Sequence, residues 1–311
     1  MTTAPRVWDL GRAALDYGRR PLVMGVVNLT PDSFFPASRA DGAEEAAQRA
    51  EDLVAAGADL LDLGAESSRP GAAPAGGDAE RTRLLPALAA VRRRVAVPLT
   101  VDTWRADTAR AALDAGADGL NDITAGRGDP GLLPLAAAAG CGLVLMHMQG
   151  TPATMQADPR YDDVVAEVAA HLDERAAAAL AAGVSPSRML VDPGLGFGKD
   201  LGHNLALLAR VREATGGRPA LIGASRKSFI AGITGEPVER RLPGSLAAAA
   251  IAFAAGAAAV RVHDVAETVQ MLEVLAAIAA AGRTPLSRRP HDAMLRSDAT
   301  PAGPDTGKNR C

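Results

Sequence analysis

Cysteine and long apolar runs are both scarce in this sequence, and each absence narrows the class of protein. The chain has two cysteines, Cys141 within an apolar run and Cys311 at its last position, which provide no disulfide framework. A reducing compartment is therefore expected, and we predict the cytoplasm. Residues 1–20 have no apolar core of the signal-peptide type. The longest apolar run, 246–260, stops at Arg261, short of the roughly 18 residues that a membrane span requires, so no membrane association is predicted.

An excess of positive charge is also absent. The formal net charge is −3, with 22% charged residues, which argues against a nucleic-acid-binding or membrane-surface protein. An anionic ligand would therefore need a local cluster of basic residues. The glycine-rich first turn of dinucleotide-binding sheets is missing as well. What remains is a chain of 311 residues with 48% hydrophobic residues, enough for one large core.

Short apolar strands alternate with helical segments eight times along the chain. The spacings suit βα connections rather than hairpins, and this alternation predicts a parallel sheet. Eight units predict closure of the sheet into a (β/α)8 TIM barrel, with an open doubly wound sheet as the alternative. We predict one barrel domain at 21–282, an N-terminal lead-in at 1–20 and a disordered tail at 283–311. Residues 201–214 are predicted to form one continuous helix.

The predicted strand at 189–191 ends in Asp192, and residues 193–198 then contain three glycines and a proline. Side chains at the carboxyl ends of barrel strands face the ligand crevice, and glycines let a ligand approach the backbone closely. A carboxylate in that position can accept two parallel hydrogen bonds from the N–H and NH2 edge of a pterin or a guanine. The alternative is an ordinary turn in which Asp192 caps the next helix.

Polar residues end nearly every predicted strand, and they suggest two kinds of recognition at one face of the barrel. The candidates for a polar heterocycle are Asp102, Asn121, Asp192 and Lys227. The candidates for an anion such as diphosphate are Asn28, Ser68, Arg69, Arg261 and His263. Arg261 and His263 are two apart on a strand and therefore face the same way, although by themselves they could instead form a surface ion pair with Asp264. His147 ends a strand too, without a role in either group.

These residues fall in motifs that closely resemble those of the dihydropteroate synthase family. The resemblance extends over about 21–282, and the set of motifs is specific although no single one is. The matching segments, in the family's order, are Met24 to Phe34, Gly64 to Gly71, Asp102-Thr103, Asn121-Asp122, Leu145 to Gly150, Asp192 to Lys199, Ser225-Arg226-Lys227 and Arg261 to Asp264.

The resemblance implies a TIM barrel that condenses 6-hydroxymethyl-7,8-dihydropterin diphosphate with 4-aminobenzoate, giving 7,8-dihydropteroate and diphosphate in folate synthesis. It also implies a homodimer, inhibition by sulfonamides, and Mg2+ held at Asn28. By position, Asn28, Lys227, Arg261 and His263 would be catalytic. The pterin would contact Asp102, Asn121, Met146, Asp192, Phe197, Gly223 and Lys227. The diphosphate would contact Asn28, Ser68, Arg261, Val262 and His263, and the aminobenzoate would contact Phe34, Ser67, Arg69, Pro70, Lys227 and Ser228.

The first loop departs from the family pattern, which usually continues Ser-Phe-Ser-Asp-Gly-Gly. Here Pro36 stands in place of the aspartate, and both glycines are missing from 33–38. Pro36 fixes φ near −65°, so we expect a less adaptable loop and a lower turnover. Two alternatives follow: a pterin-binding paralogue without activity, and the pterin-binding domain of corrinoid methyltransferases. The second has no use for the basic residues at 225–227 and 261–263.

Overall fold

Eight parallel strands form one sheet in the computed structural model, which describes residues 6–30, 42–67, 71 and 76–283. The barrel strands are β3 (Leu22–Asn28), β4 (Leu60–Gly64), β5 (Leu99–Asp102), β6 (Gly119–Asp122), β7 (Gly142–Met146), β8 (Met189–Asp192), β9 (Leu221–Ile222) and β10 (Ala259–Val262). Their order in the sheet is β8-β7-β6-β5-β4-β3-β10-β9, and a parallel bridge from Val191 to Ala220, next to β9, joins the two ends. The predicted TIM barrel is therefore confirmed.

Helices follow the strands and surround the sheet. Where one helix was predicted at 201–214 the structure has two, because the chain breaks at Arg210, whose φ of −125° lies outside the helical range. The helices are α1 (Ala43–Ala55), α2 (Gly77–Arg94), α3 (Ala106–Asp114), α4 (Leu132–Ala139), α5 (Val164–Ala181), α6 (Leu201–Ala209), α7 (Val211–Ala214), α8 (Ser228–Thr234), α9 (Leu242–Ala255) and α10 (Val265–Arg283).

The apolar core has two large parts, one outside and one inside the sheet, and a small third cluster at the carboxyl ends of the strands. The outer part lies between strands and helices and holds residues such as Leu61, Leu88 and Val260. The inner part fills the end of the barrel where the strands begin, and includes Met24 and Leu190. Among the described residues, the opposite end carries a smaller apolar cluster of Ile123, Met146, Met148 and Met155, and the rest of that end is left for polar groups and a ligand.

The predicted lead-in contains an antiparallel hairpin of β1 (Val7–Asp9) and β2 (Ala14–Asp16). Trp8 is fully buried, and its Nε1 donates a hydrogen bond to the carbonyl of Arg188 at 2.9 Å. Leu10 packs so closely that a Cβ built on Gly142 would lie 2.4 Å from its Cδ2. The hairpin thus closes the amino-terminal mouth of the barrel, a role that the sequence did not predict.

Helix α10 is long and apolar enough, by length and composition alone, to cross a bilayer, and the window Val265–Gly282 has a mean hydropathy of 1.4. In the fold it follows the last strand, and it buries Val265, Leu272 and Ala276 as an outer barrel helix does. The chain divides after Ala276 into two compact units. The described part of the second unit, 277–283, is helical.

Candidate active site

A cavity of about 180 Å³ opens at the carboxyl ends of the strands. The sequence placed its candidate site at this end, because parallel strands that close into a barrel bring their carboxyl ends together. Twelve of the predicted site residues line the cavity: Asn28, Ser67, Asp102, Asn121, Met146, Asp192, Phe197, Gly223, Lys227, Ser228, Arg261 and His263. Phe34, Ser68, Arg69 and Pro70 lie outside the described residues. The side chain of Val262 packs in the outer core, so only its backbone could face an anion.

Four residues form a row across neighbouring strands at the cavity floor. Asn28 pairs in register with Gly64, Gly64 with Asp102, and Asp102 with Asn121. A Cβ built on Gly64 would lie 3.7 Å from Asp102 Oδ2 and 4.0 Å from Asn28 Oδ1. The missing side chain at Gly64 therefore leaves a gap between two oxygen-bearing side chains, which the register of the sheet brings together.

Asp192 lies at the end of β8 and is 5% exposed. Its Oδ1 accepts a hydrogen bond from the backbone N–H of Gly194 at 2.7 Å. Gly194 has φ of +66°, and a Cβ there would lie 1.9 Å from the carbonyl oxygen of His147, so only glycine fits. The following helix is capped by Asp200, which accepts from His203 N, so the alternative of Asp192 as a helix cap is wrong.

A carboxylate that the sequence analysis missed holds the centre of the site together. Asp62 is fully buried in the middle of β4 and accepts hydrogen bonds from Thr100 Oγ1 at 2.5 Å and Asn121 Nδ2 at 3.0 Å. It also pairs with Arg261, whose Nε lies 2.7 Å from Asp62 Oδ2. The second anionic partner of Arg261 is Asp102, 3.4 Å from Nη2. A charged residue inside the apolar run Leu60–Gly64 was the available signal, since buried charges are almost always paired.

Burial and neighbouring charges shift the pKa values of the groups in the cavity. Burial raises the pKa of Asp102 to about 7, against the opposing effect of Arg261. The pKa of Asp192 is also raised by burial, although Lys227 and the Gly194 N–H oppose the shift. Burial lowers the pKa of Lys227 to about 8, with Asp192 acting in the other direction. A ligand that supplies hydrogen-bond donors to these carboxylates would favour their ionised forms.

Lys227 belongs to both predicted contact sets, for the pterin and for the aminobenzoate, and it lines the cavity. Its Nζ donates to the carbonyl of Leu195 and lies 4.7 Å from the centre of the Phe197 ring. Lys227 is also the residue that precedes the first turn of α8, which begins at Ser228. An ammonium, an aromatic ring and a helix N-terminus together suit a flat aromatic ligand that carries a carboxylate.

His263 is neutral in this arrangement, and Asp264 forms an ion pair with Arg226 rather than with His263 or Arg261. Burial, and then the positive charge of Arg261, lower the pKa of His263 to about 3. Its Nδ1 lies 3.0 Å from Ser225 Oγ. Asp264 forms a buried ion pair with Arg226, with 2.6 Å between Oδ1 and Nη2. The alternative of a surface ion pair between Asp264 and Arg261 or His263 is therefore wrong, and no role had been predicted for Arg226.

His147, which also ends a strand, does not line the cavity. It is 6% exposed, and its Nδ1 lies 2.9 Å from Nζ of Lys199. Lys199 is itself 3% exposed and was another buried residue without a predicted role. The contact between His147 and Lys199 joins the segment that follows β7 to the segment that follows β8 and Asp192.

A family model described as pterin binding enzyme matches residues 24–263. The chain is 43% identical over 258 residues to dihydropteroate synthase of Escherichia coli K12, covering 83% of this chain and 91% of that protein. It is 45% identical over 282 residues to the same enzyme of Neisseria meningitidis serogroup B, covering 88% and 98%.

Solved structures agree with these relatives. Yersinia pestis dihydropteroate synthase in a sulfonamide drug complex matches with a TM-score of 0.84 at 40% identity, covering 88% of this chain and 99% of that one. The Burkholderia cenocepacia enzyme complexed with 7,8-dihydropteroate matches with a TM-score of 0.80 at 45% identity, covering 91% and 99%.

Proposed function

Since this chain belongs to the dihydropteroate synthase family, we infer that it is a transferase of folate synthesis. It condenses 6-hydroxymethyl-7,8-dihydropterin diphosphate with 4-aminobenzoate to give 7,8-dihydropteroate and diphosphate. The observation that carries this inference is the convergence of Asp102, Asn121, Asp192 and Lys227 in one cavity, with Arg261 and His263 beside them. One wall suits a polar ring, and the adjoining wall suits an anion.

The pterin ring would lie among the carboxylates. Asp192 would accept hydrogen bonds from the N–H and NH2 edge of the ring, because its carboxylate is held by Gly194 and faces the cavity. Asn121 is oriented by Asp62 and can both donate and accept. Met146 and Phe197 would cover the apolar faces of the ring. These residues bind and orient the ring, and none of them needs to act as a covalent nucleophile.

The leaving diphosphate would be stabilised at Arg261 and His263. Departure of the diphosphate places additional negative charge on its oxygen atoms, and a fixed guanidinium favours that charge. Because Ser225 Oγ also accepts from the backbone N–H of His263, its hydroxyl hydrogen can go to Nδ1, which leaves Nε2–H as a donor to the anion. The remaining pterin methylene is a cation conjugated with the ring, and the arylamine then attacks it.

Mg2+ is proposed to accompany the diphosphate. Among the described residues no group of three or more His, Cys, Asp or Glu side chains could hold a metal ion. The gap at Gly64 is nevertheless bordered by the amide oxygen of Asn28 and the carboxylate of Asp102, and oxygen donors of this kind suit Mg2+. Asn28 would hold the ion together with substrate oxygens, and the ion would supply positive charge to the leaving group.

The aminobenzoate is proposed to bind on the side of Lys227, Ser67 and Ser228, all of which line the cavity. The ammonium and the N-terminus of α8 would attract its carboxylate. The predicted contacts at Phe34, Arg69 and Pro70 complete this proposal, and these three residues lie outside the described residues. Sulfonamides are proposed to occupy the same position.

A cytoplasmic homodimer is a further part of the proposal. Large apolar side chains are exposed on three neighbouring helices: Leu205 on α6 is 42% exposed, Ile233 on α8 57% and Ile251 on α9 49%. An identical subunit would cover such a surface. Light scattering after size-exclusion chromatography tests this, and a monomeric mass at micromolar concentration would contradict it.

The reaction is tested by measuring diphosphate release with and without 4-aminobenzoate. We expect release that depends on the arylamine, together with formation of dihydropteroate. Pterin binding without release would instead support the non-catalytic paralogue. No binding of a pterin at all would overturn the assignment of the cavity.

A further inference from the structure

Lys199 is a buried lysine whose ammonium has no carboxylate as a hydrogen-bond partner within the part of the chain that the structure describes. It is 3% exposed, and its Nζ lies 2.9 Å from His147 Nδ1, 2.9 Å from the carbonyl oxygen of Phe197 and 3.5 Å from the carbonyl oxygen of His147. Burying an ammonium costs several kcal/mol unless its charge is compensated. We therefore expect the ammonium of Lys199 to have a role other than packing.

His147 does not compensate this charge, because it serves as a neutral acceptor. Burial, and then the positive charge of Lys199, lower the pKa of His147 to about 2. The edge-to-face contact with His171, at 4.8 Å between ring centroids, brings a second neutral imidazole, since burial lowers the pKa of His171 to about 4. The negative charge that acts on Lys199 is that of Asp192, the proposed pterin carboxylate.

The segment 193–198, which we call the β8 loop, packs directly on the chain that follows β7. A Cβ built on Gly198 would lie 2.6 Å from the carbonyl oxygen of Gln149, and the hydroxyl of Tyr161 donates to the carbonyl of Gly198 at 2.8 Å. Lys199 donates to carbonyls on both sides of this contact, at Phe197 and His147. The β8 loop carries Phe197, and it directly follows Asp192.

We propose that Lys199 is a positioning residue for pterin recognition: it fastens the β8 loop to His147 and adds, beside Lys227, to the positive charge that acts on Asp192. The proposal rests on the proposed function, in which Asp192 binds the pterin. Lys199 lies outside the lining of the cavity and acts through Asp192 and Phe197 rather than on the substrate.

The pH dependence of pterin binding follows from the groups around Lys199. These groups are His147 at the end of β7, Asp192 at the end of β8, Lys227 after β9, His171 on α5, and Arg127 beyond His171. Burial lowers the pKa of Lys199 to about 7, so its charge is present below neutral pH and lost above it. Below neutral pH that charge opposes the protonation of Asp192. Burial acts in the opposite direction, because it raises the pKa of Asp192. Without the charge, Asp192 would protonate at a higher pH.

The test is calorimetry of a pterin analogue from pH 5.5 to 9 with Lys199→Met and Tyr161→Phe. Tyr161→Phe is a matched control, because it removes a neutral hydrogen bond from the same loop. For Lys199→Met we expect at least a tenfold loss of affinity at pH 6, a loss that shrinks above pH 8, and an acid limb shifted upward by roughly one unit. Tyr161→Phe should lower affinity by a factor that does not change with pH. If Lys199→Met fails to fold, Lys199→Gln serves the same comparison.

A constant loss at every pH in Lys199→Met, parallel to that of Tyr161→Phe, would reduce Lys199 to a packing residue and overturn the proposal. Unchanged affinity at pH 6 would overturn it as well. Diphosphate release by the wild-type protein is measured in the same preparations. Its absence would refute the proposed reaction, while the binding curves would still decide the role of Lys199.

Discussion

Replacement of Asp62 by asparagine should damage both stability and activity. Asp62 accepts hydrogen bonds from Thr100, Asn121 and Arg261, and the last of these is part of a buried ion pair. Asparagine keeps the shape but turns one acceptor into a donor, and it removes the negative charge that pairs with Arg261. Breaking a buried pair costs roughly 3–5 kcal/mol, because the remaining charge loses its nearest partner, and Arg261 would keep the longer contact of 3.4 Å to Asp102.

We therefore expect urea unfolding to show a loss of about 3–5 kcal/mol for Asp62→Asn. We also expect kcat/KM to fall at least about tenfold, equivalent to 1.4 kcal/mol, because Asn121 and Arg261 lose their common anchor. Asp118→Asn is the matched control: Asp118 is buried at the opposite end of the barrel, where it accepts from Leu99 N at 2.9 Å and Arg92 Nη1 at 3.1 Å. It should cost stability and leave kcat/KM nearly unchanged.

The reasoning is refuted if Asp62→Asn unfolds within about 0.5 kcal/mol of the wild type and keeps its kcat/KM. It also fails if Asp118→Asn lowers kcat/KM as much as Asp62→Asn does. In that case a general loss of stability would explain the fall in kcat/KM. The hydrogen bonds of Asp62 would then have no specific role in positioning Asn121 and Arg261.

Three further predictions concern the ligand. Asp192→Asn should cost roughly 2–4 kcal/mol of affinity for a pterin analogue in calorimetry, and an unchanged affinity would place the pterin elsewhere. Arg261→Ala should weaken the diphosphate substrate more than a pterin that lacks diphosphate, and equal weakening would contradict the division of the cavity. Rewriting residues 35–38, outside the described residues, as Ser-Asp-Gly-Gly should raise turnover about tenfold and strengthen sulfonamide binding. A flat turnover would show that the loop with Pro36 works as it stands.

The sequence by itself determined the barrel and the end of it that carries the site. Alternation of strands and helices predicts parallel strands, and the carboxyl ends of parallel strands meet at one edge. Asp102, Asn121 and Asp192 could therefore be grouped from sequence although they lie on different strands, and all of them line the cavity. Whether a residue directly follows a strand can be read from its neighbours in the sequence, and folding does not change that position.

Only the tertiary structure decided which groups become the partners of buried charges. Asp62 and Arg261 are 199 positions apart, and His147 and Lys199 are 52 apart. A buried charge must find a partner, but the register and closure of the barrel determine which one lies within reach. The same holds for the hairpin with Trp8, because its apolar side chains match a barrel mouth that exists only after the sheet has closed.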